Sequence, residues 1–243
     1  MSTESDRGRG GRRLRASLLG ALALLLLATA WLWFGDRVLL SWRFSRLVRS
    51  RSADCGHPEC RWGYCSRRAW AIGAMGDTGL AYLRRKAEIG LSDERAAALE
   101  ALAILKHPGA VSLAAEAIRC ENPTVRFYAV RALGGFDSEA SSIALQGFLR
   151  DDDLLVFSVA FKHLLRRPSD KLDAAVATAL SRQDAPLRTA ALLSLESYCQ
   201  RRRIENQQTP ALRSIQALKR IASSDAVPQN RDVAKRVLQQ LQR

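Results

Sequence analysis

Pro123–Asp153, PTVRFYAVRALGGFDSEASSIALQGFLRDDD, decides the fold, because its pattern recurs on both sides of it at a fixed interval. Arg95, Arg126, Phe157 and Arg188 stand 31 residues apart. Three residues after each comes an alanine (Ala98, Ala129, Ala160, Ala191), and four after each an apolar residue (Leu99, Val130, Phe161, Leu192). Seven after each comes a leucine: Leu102, Leu133, Leu164 and Leu195. Offsets of 3, 4 and 7 share one face of an α-helix, so each unit opens with an amphipathic helix whose alanine admits a close neighbour.

Breaks follow at His107-Pro108-Gly109, Asp137-Ser138 and Arg167-Pro168-Ser169, where Pro or Ser suits a new helix start. A second helix then carries its own apolar set in each unit: Leu113, Ala117 and Ile118; Ile143, Leu145, Phe148 and Leu149; Val176, Ala179 and Leu180. Degenerate copies of the opening helix stand at Arg68, Ala71, Ile72 and Met75, and at Arg231, Ala234 and Leu238. The long interval before the last copy holds Arg201–Gln208, RRRIENQQ, a loop or a helix extension. One helix pair cannot bury its own apolar face, so the expected fold is all-α: an α-solenoid of about five to six helical hairpins over 66–243.

The string Asn122-Pro123-x-Val125-Arg126-x-x-Ala129-x-x-Ala132-Leu133-Gly134 resembles the signature of HEAT repeats, in the short subclass of the phycocyanobilin lyases. The resemblance extends over roughly 66–241. It implies that the Asp or Pro and the Arg before the alanine knit adjacent units by caps and ion pairs, a role that falls to Asp93 and Arg95, and to Pro186 and Arg188. Phe157 departs from the pattern, so the third unit lacks that polar link. An aromatic there marks a bend, a partner contact or a core residue. The resemblance implies a binding scaffold, with a bilin-attaching enzyme as the minority form.

Before the repeat lies Ser17–Phe34, SLLGALALLLLATAWLWF, without a charge and closed by Trp31 and Trp33. Its length is at the short end of what spans a bilayer. A membrane anchor over 17–35 is the expected reading, with a cleaved signal peptide ending at Ala28-Thr29-Ala30 as its competitor and a buried core helix as the third. Residues 1–16 form a basic tail. Residues 1–51 hold ten Arg against Glu4, Asp6 and Asp36, so half of the formal charge of +14 belongs to the ends of this one segment. Five Arg lie on each side, which leaves topology open; a basic cluster before an apolar run favours an extracytoplasmic (periplasmic) body. Residues 36–51 mix Val38, Leu39, Trp42, Leu47 and Val48 with Arg, as a helix lying on anionic lipid would, or as a linker with snorkelling Arg.

The linker 36–65 ends in a cysteine-rich stretch: Cys55, His57, Cys60 and Cys65 fall within eleven residues. A disulfide, a metal site and inert or reactive thiols are all open there, although the spacing matches no strong zinc pattern. No nucleophile elbow, zinc-protease motif or phosphate loop occurs. Gly73, Gly76 and Gly79 fit a helix end and turn, Asp151-Asp152-Asp153 a helix start, and His107 and His163 a turn or surface.

Two functions follow. One is a membrane-tethered, non-catalytic scaffold without a cofactor, whose protein partner is acidic; Phe157, Arg166, Arg167, Arg201, Arg202 and Arg203 are the candidate contacts. The other is a redox or metal-binding module at Cys55–Cys65, or a lyase-like enzyme on the repeat platform. Outside 1–51 the excess charge is a modest +7 with no aromatic-basic platform, which disfavours nucleic acid. Nothing in the pattern suggests a small-molecule ligand.

Overall fold

The structure, a computed structural model, describes residues 24–26, 28–29, 34–49, 60–167, 172–205 and 214–241. Residues 24–26 and 28–29 are helical, and α1 covers 34–49. There follow α2 (Cys60–Gly73), α3 (Gly76–Ile89), α4 (Ser92–Ile104), α5 (Gly109–Glu116) with a 3-10 turn Ala117–Arg119, α6 (Pro123–Gly134) and α7 (Glu139–Phe148). The chain continues through α8 (Leu154–Leu165), α9 (Leu172–Leu180), α10 (Ala185–Ile204), α11 (Ile215–Ser224) and α12 (Pro228–Leu241).

The helices stack in two layers. Each repeat's opening helix packs on the next opening helix, from α2 through α4, α6, α8 and α10 to α12. In the other layer α3 meets α5, α5 meets α7, and α9 meets α11. This is an α-solenoid. Ala98, Ala129, Ala160, Ala191 and Ala234 are fully buried between opening helices, and Leu99, Val130, Phe161, Leu192, Leu102, Leu133 and Leu195 fill the space between the layers. The small and large columns read from the sequence are therefore the stacking and core positions.

The starts of the helices follow capping chemistry. Asn122 accepts from the Thr124 N–H at 2.9 Å, with Pro123 opening α6. Asp153 accepts from Leu155 and Val156 N–H groups and opens α8, and Asp184 does so for α10. The acidic triplet thus begins a helix. Gly76 takes a left-handed φ of 63° at the tight turn between α2 and α3. A Cβ at Gly79 would lie 2.1 Å from the Ile72 carbonyl oxygen, so that glycine allows the two helices to touch.

The structure refines the reading of the sequence at four places. Ile118 and Ile143 are exposed, so the second helices bury a narrower stripe than their apolar residues suggest. Cys120 is in the loop after the 3-10 turn, whereas Cys199 is a buried helix residue. Arg201–Arg203 prolong α10 to 20 residues. Residues 34–49 are neither linker nor a helix committed to lipid by its Leu face: Leu40, Phe44 and Leu47 are buried against the first repeat. Phe44 meets Tyr82 edge-on at 5.5 Å, and Arg43 donates to the Ala71 carbonyl at 2.6 Å. Arg68 donates to the Arg46 carbonyl. α1 is thus the cap that covers the open end of the stack.

Among the described residues no helix is long and apolar enough to cross a membrane. Of the anchor expected over 17–35, only 24–26, 28–29 and 34–35 lie within them.

Candidate functional site

The repeated arginine does two jobs. Arg126 Nη1 donates back to the Cys120 and Glu121 carbonyls at 2.8 Å each, while Nε and Nη2 reach forward to Asp151 at 2.7 and 3.0 Å. Arg188 copies this, donating back to Arg182 and Gln183 and forward to Asp225 at 2.8 and 3.3 Å. A bidentate guanidinium is suited to binding one loop and the next together. Cys120, Asp151, Arg182 and Asp225 occupy equivalent positions, six residues before the column. Arg95 therefore meets the Cys120 thiol, at 3.6 Å, where its counterparts meet a carboxylate.

In the third unit both members change. Phe157 is fully buried and stacks on Phe161 at 6.3 Å, so it is a core residue and not a partner contact. Its opposite number is Arg182, which turns away to the Arg150 and Asp151 carbonyls and to the Asp152 carboxylate.

At the other end of the opening helices, the C-terminal ends of α4, α6 and α8 enclose a cleft of about 610 Å³. Lys106, Arg131, Arg166, Arg167 and His163 line it with Glu100 and Asp137, over a floor that includes Ile104, Ala132 and Phe136. Lys106 has a left-handed φ of 55°, at the helix exit where glycine is usual. That backbone directs its ammonium to the Gly135 carbonyl and over the Phe136 ring at 5.5 Å. Arg131 pairs with Glu100 at 3.1 Å and sits 5.3 Å above the Tyr128 ring.

Arg167 is only 9% exposed. It donates to the Leu133 and Phe136 carbonyls at 2.9 and 2.6 Å and to the Ser141 and Ser142 hydroxyls at 3.1 and 2.7 Å. These partners close α6 and open α7. Burial pulls its guanidinium below the ordinary value, opposed by Asp137. Arg167 is accordingly the keystone of the wall, and Arg166 beside it is exposed.

His163 is half-buried, its ring lying on Gly134, where a Cβ would come within 2.2 Å of it. Burial first, and then Arg166, Arg167 and Arg131, push its pKa down to about 4. Near neutral pH the cleft thus presents four cations, two carboxylates and a neutral imidazole. Among the described residues no serine, threonine or cysteine lines it. What it offers is positive charge above an apolar floor, suited to a carboxylate-bearing chain.

Cys55 and His57 lie outside the described residues, as do the side chains of Cys60 and Cys65; the latter two share α2. Arg201, Arg202 and Arg203 occupy the last turn of α10, with Arg202 stacked 5.9 Å above Tyr198. Cations at a helix C-terminus also answer the macrodipole. Of the expected contacts, only Arg166 and Arg167 line the cleft. Lys106, Arg131 and His163 were missed because they are 25 or more residues apart in sequence and meet only through stacking.

The fold defines the chain as an α-solenoid of stacked helical hairpins. Residues 80–162, about a third of the chain, match the family of HEAT repeats. No curated protein matches the sequence. Among solved structures it is similar to an engineered protein from the Northeast Structural Genomics Consortium. That likeness has 18% identity and a TM-score of 0.43, and covers 73% of this chain and 85% of that one.

Proposed function

We propose that this protein is a non-catalytic scaffold at a membrane surface, anchored through 17–35, whose solenoid holds an acidic segment of a protein partner in the cleft at the ends of α4, α6 and α8. HEAT repeats suggest an interaction scaffold. The observation that carries the specific reading is the gathering of Lys106, Arg131, Arg166 and Arg167 around one apolar-floored cleft. An extended acidic chain would place carboxylates against Arg166 and Lys106 and its stem on Phe136 and Ile104. The cytoplasmic or extracytoplasmic side of the body is set by the anchor's orientation, for which the basic N-terminal tail favours an extracytoplasmic body.

The test is a peptide array of graded acidity probed with the full chain. Acidic peptides are expected to bind best, and Arg166→Glu with Lys106→Glu to abolish that preference. Raising salt from about 50 to 300 mM should weaken binding several-fold. A preference that survives both changes would sink the cleft as the site.

A further inference from the structure

The face of α1 turned away from the solenoid carries a second apolar stripe. Phe34, Val38 and Trp42 recur every fourth residue and are 57%, 57% and 51% exposed. Single exposed apolar residues need no explanation, but a stripe on a helix whose opposite face is already buried does. Exposed Ser41 and Ser45 share its side of the helix, and Arg37 and Arg46 flank it. The Arg46 guanidinium rests 4.7 Å above the Trp42 ring.

What covers such a stripe is indicated by what precedes it. Leu24, Leu25 and Leu26 are helical and 60–69% exposed, so three adjacent leucines stand largely uncovered by the described residues. They belong to the uncharged run Ser17–Phe34, whose last residue is also the first described residue of α1. Apolar side chains on one face, a tryptophan among them and arginines at the margins are the composition of a helix in the interface plane of an anionic bilayer.

We propose that α1 is a two-faced interfacial helix: Phe34, Val38 and Trp42 rest in the headgroup layer of an anionic membrane, while Leu40, Phe44 and Leu47 clamp the first repeat. This rests on the anchored reading above and adds to it that the solenoid has no free stalk. The bilayer and the repeats share one rigid helix, so the stack is held in a fixed attitude to the membrane.

The test places p-benzoylphenylalanine at position 42 in the full chain, reconstituted into nanodiscs with and without phosphatidylglycerol. The same group at position 220, on exposed Arg220 of α11, is the control. Ultraviolet crosslinking and mass spectrometry then identify the adduct. The expected result is a phospholipid adduct at position 42, several-fold above the control and stronger with the anionic lipid. Adding Val38→Asp should lower it several-fold while the chain stays in the disc. A second copy of the chain crosslinked at position 42, or no adduct from a chain that does enter the disc, overturns the two-faced helix and leaves the anchor standing. A chain that does not enter the disc overturns both.

Discussion

Cys120 stands where Asp151 and Asp225 stand in later units, and it faces Arg95 at 3.6 Å. Those carboxylates are nearly buried beneath their arginines, so the position tolerates an anion with a partner in place. Cys120→Asp is therefore expected to stabilise the fold by about 1 kcal/mol, and the gain should vanish in an Arg95→Ala background. Urea denaturation of the four variants of the cycle measures it. His163 makes the opposite contribution on acidification. Its pKa is about 4 in the folded protein against 6.5 when free, so the unfolded chain binds more protons between those values. Stability attributable to it is complete above pH 6.5 and declines as pH falls toward 4, by on the order of 1–2 kcal/mol after allowing for solvent. His163→Gln should flatten the wild-type stability curve between pH 6.5 and 4, and an unchanged slope would refute the assignment.

At the scale of elements, α6 and α8 approach through an imidazole seated on a glycine. Gly134→Ala would thrust a methyl into that ring and cost roughly 1–3 kcal/mol, measured by thermal unfolding. His163→Ala should restore most of the loss, since it removes the colliding group. This contact was not legible in the sequence, where Gly134 reads as the last residue of the repeat signature and His163 as a turn or surface residue. The opening helices of the four central units, by contrast, were legible in their alanine and core columns, whereas in the outer copies Ala71, Met75 and Leu238 are only half-buried. Their alanine and leucine columns record a one-dimensional rule, repeated at each step and independent of distant chain. The second helices were less so: Ile118 and Ile143 fit the period but point outward, because shorter helices packed on fewer neighbours leave apolar residues uncovered. Clefts arise where three units meet, and no period encodes them.

For the whole molecule, α1 is the closing element of one end. Removing the Phe44 ring opens a cavity between α1 and α3, so Phe44→Ala is expected to cost about 3 kcal/mol or more. In a stack held by nearest-neighbour contacts, the loss should appear as faster amide exchange in α2 and α3 with little change in α10 and α12. Uniform loss of protection would instead show that the stack unfolds as a single unit. The arginine column also bears on synthesis. The backward acceptors of Arg126 and Arg188 lie five or six residues upstream, whereas the carboxylate is 25 residues downstream for Arg126 and 37 for Arg188. A ribosome therefore delivers each of these two units with one half of its bond already available and the other half still unmade. Elongation runs in the same direction as the ladder, and at these two joints the later hairpin completes the one that left the exit tunnel before it.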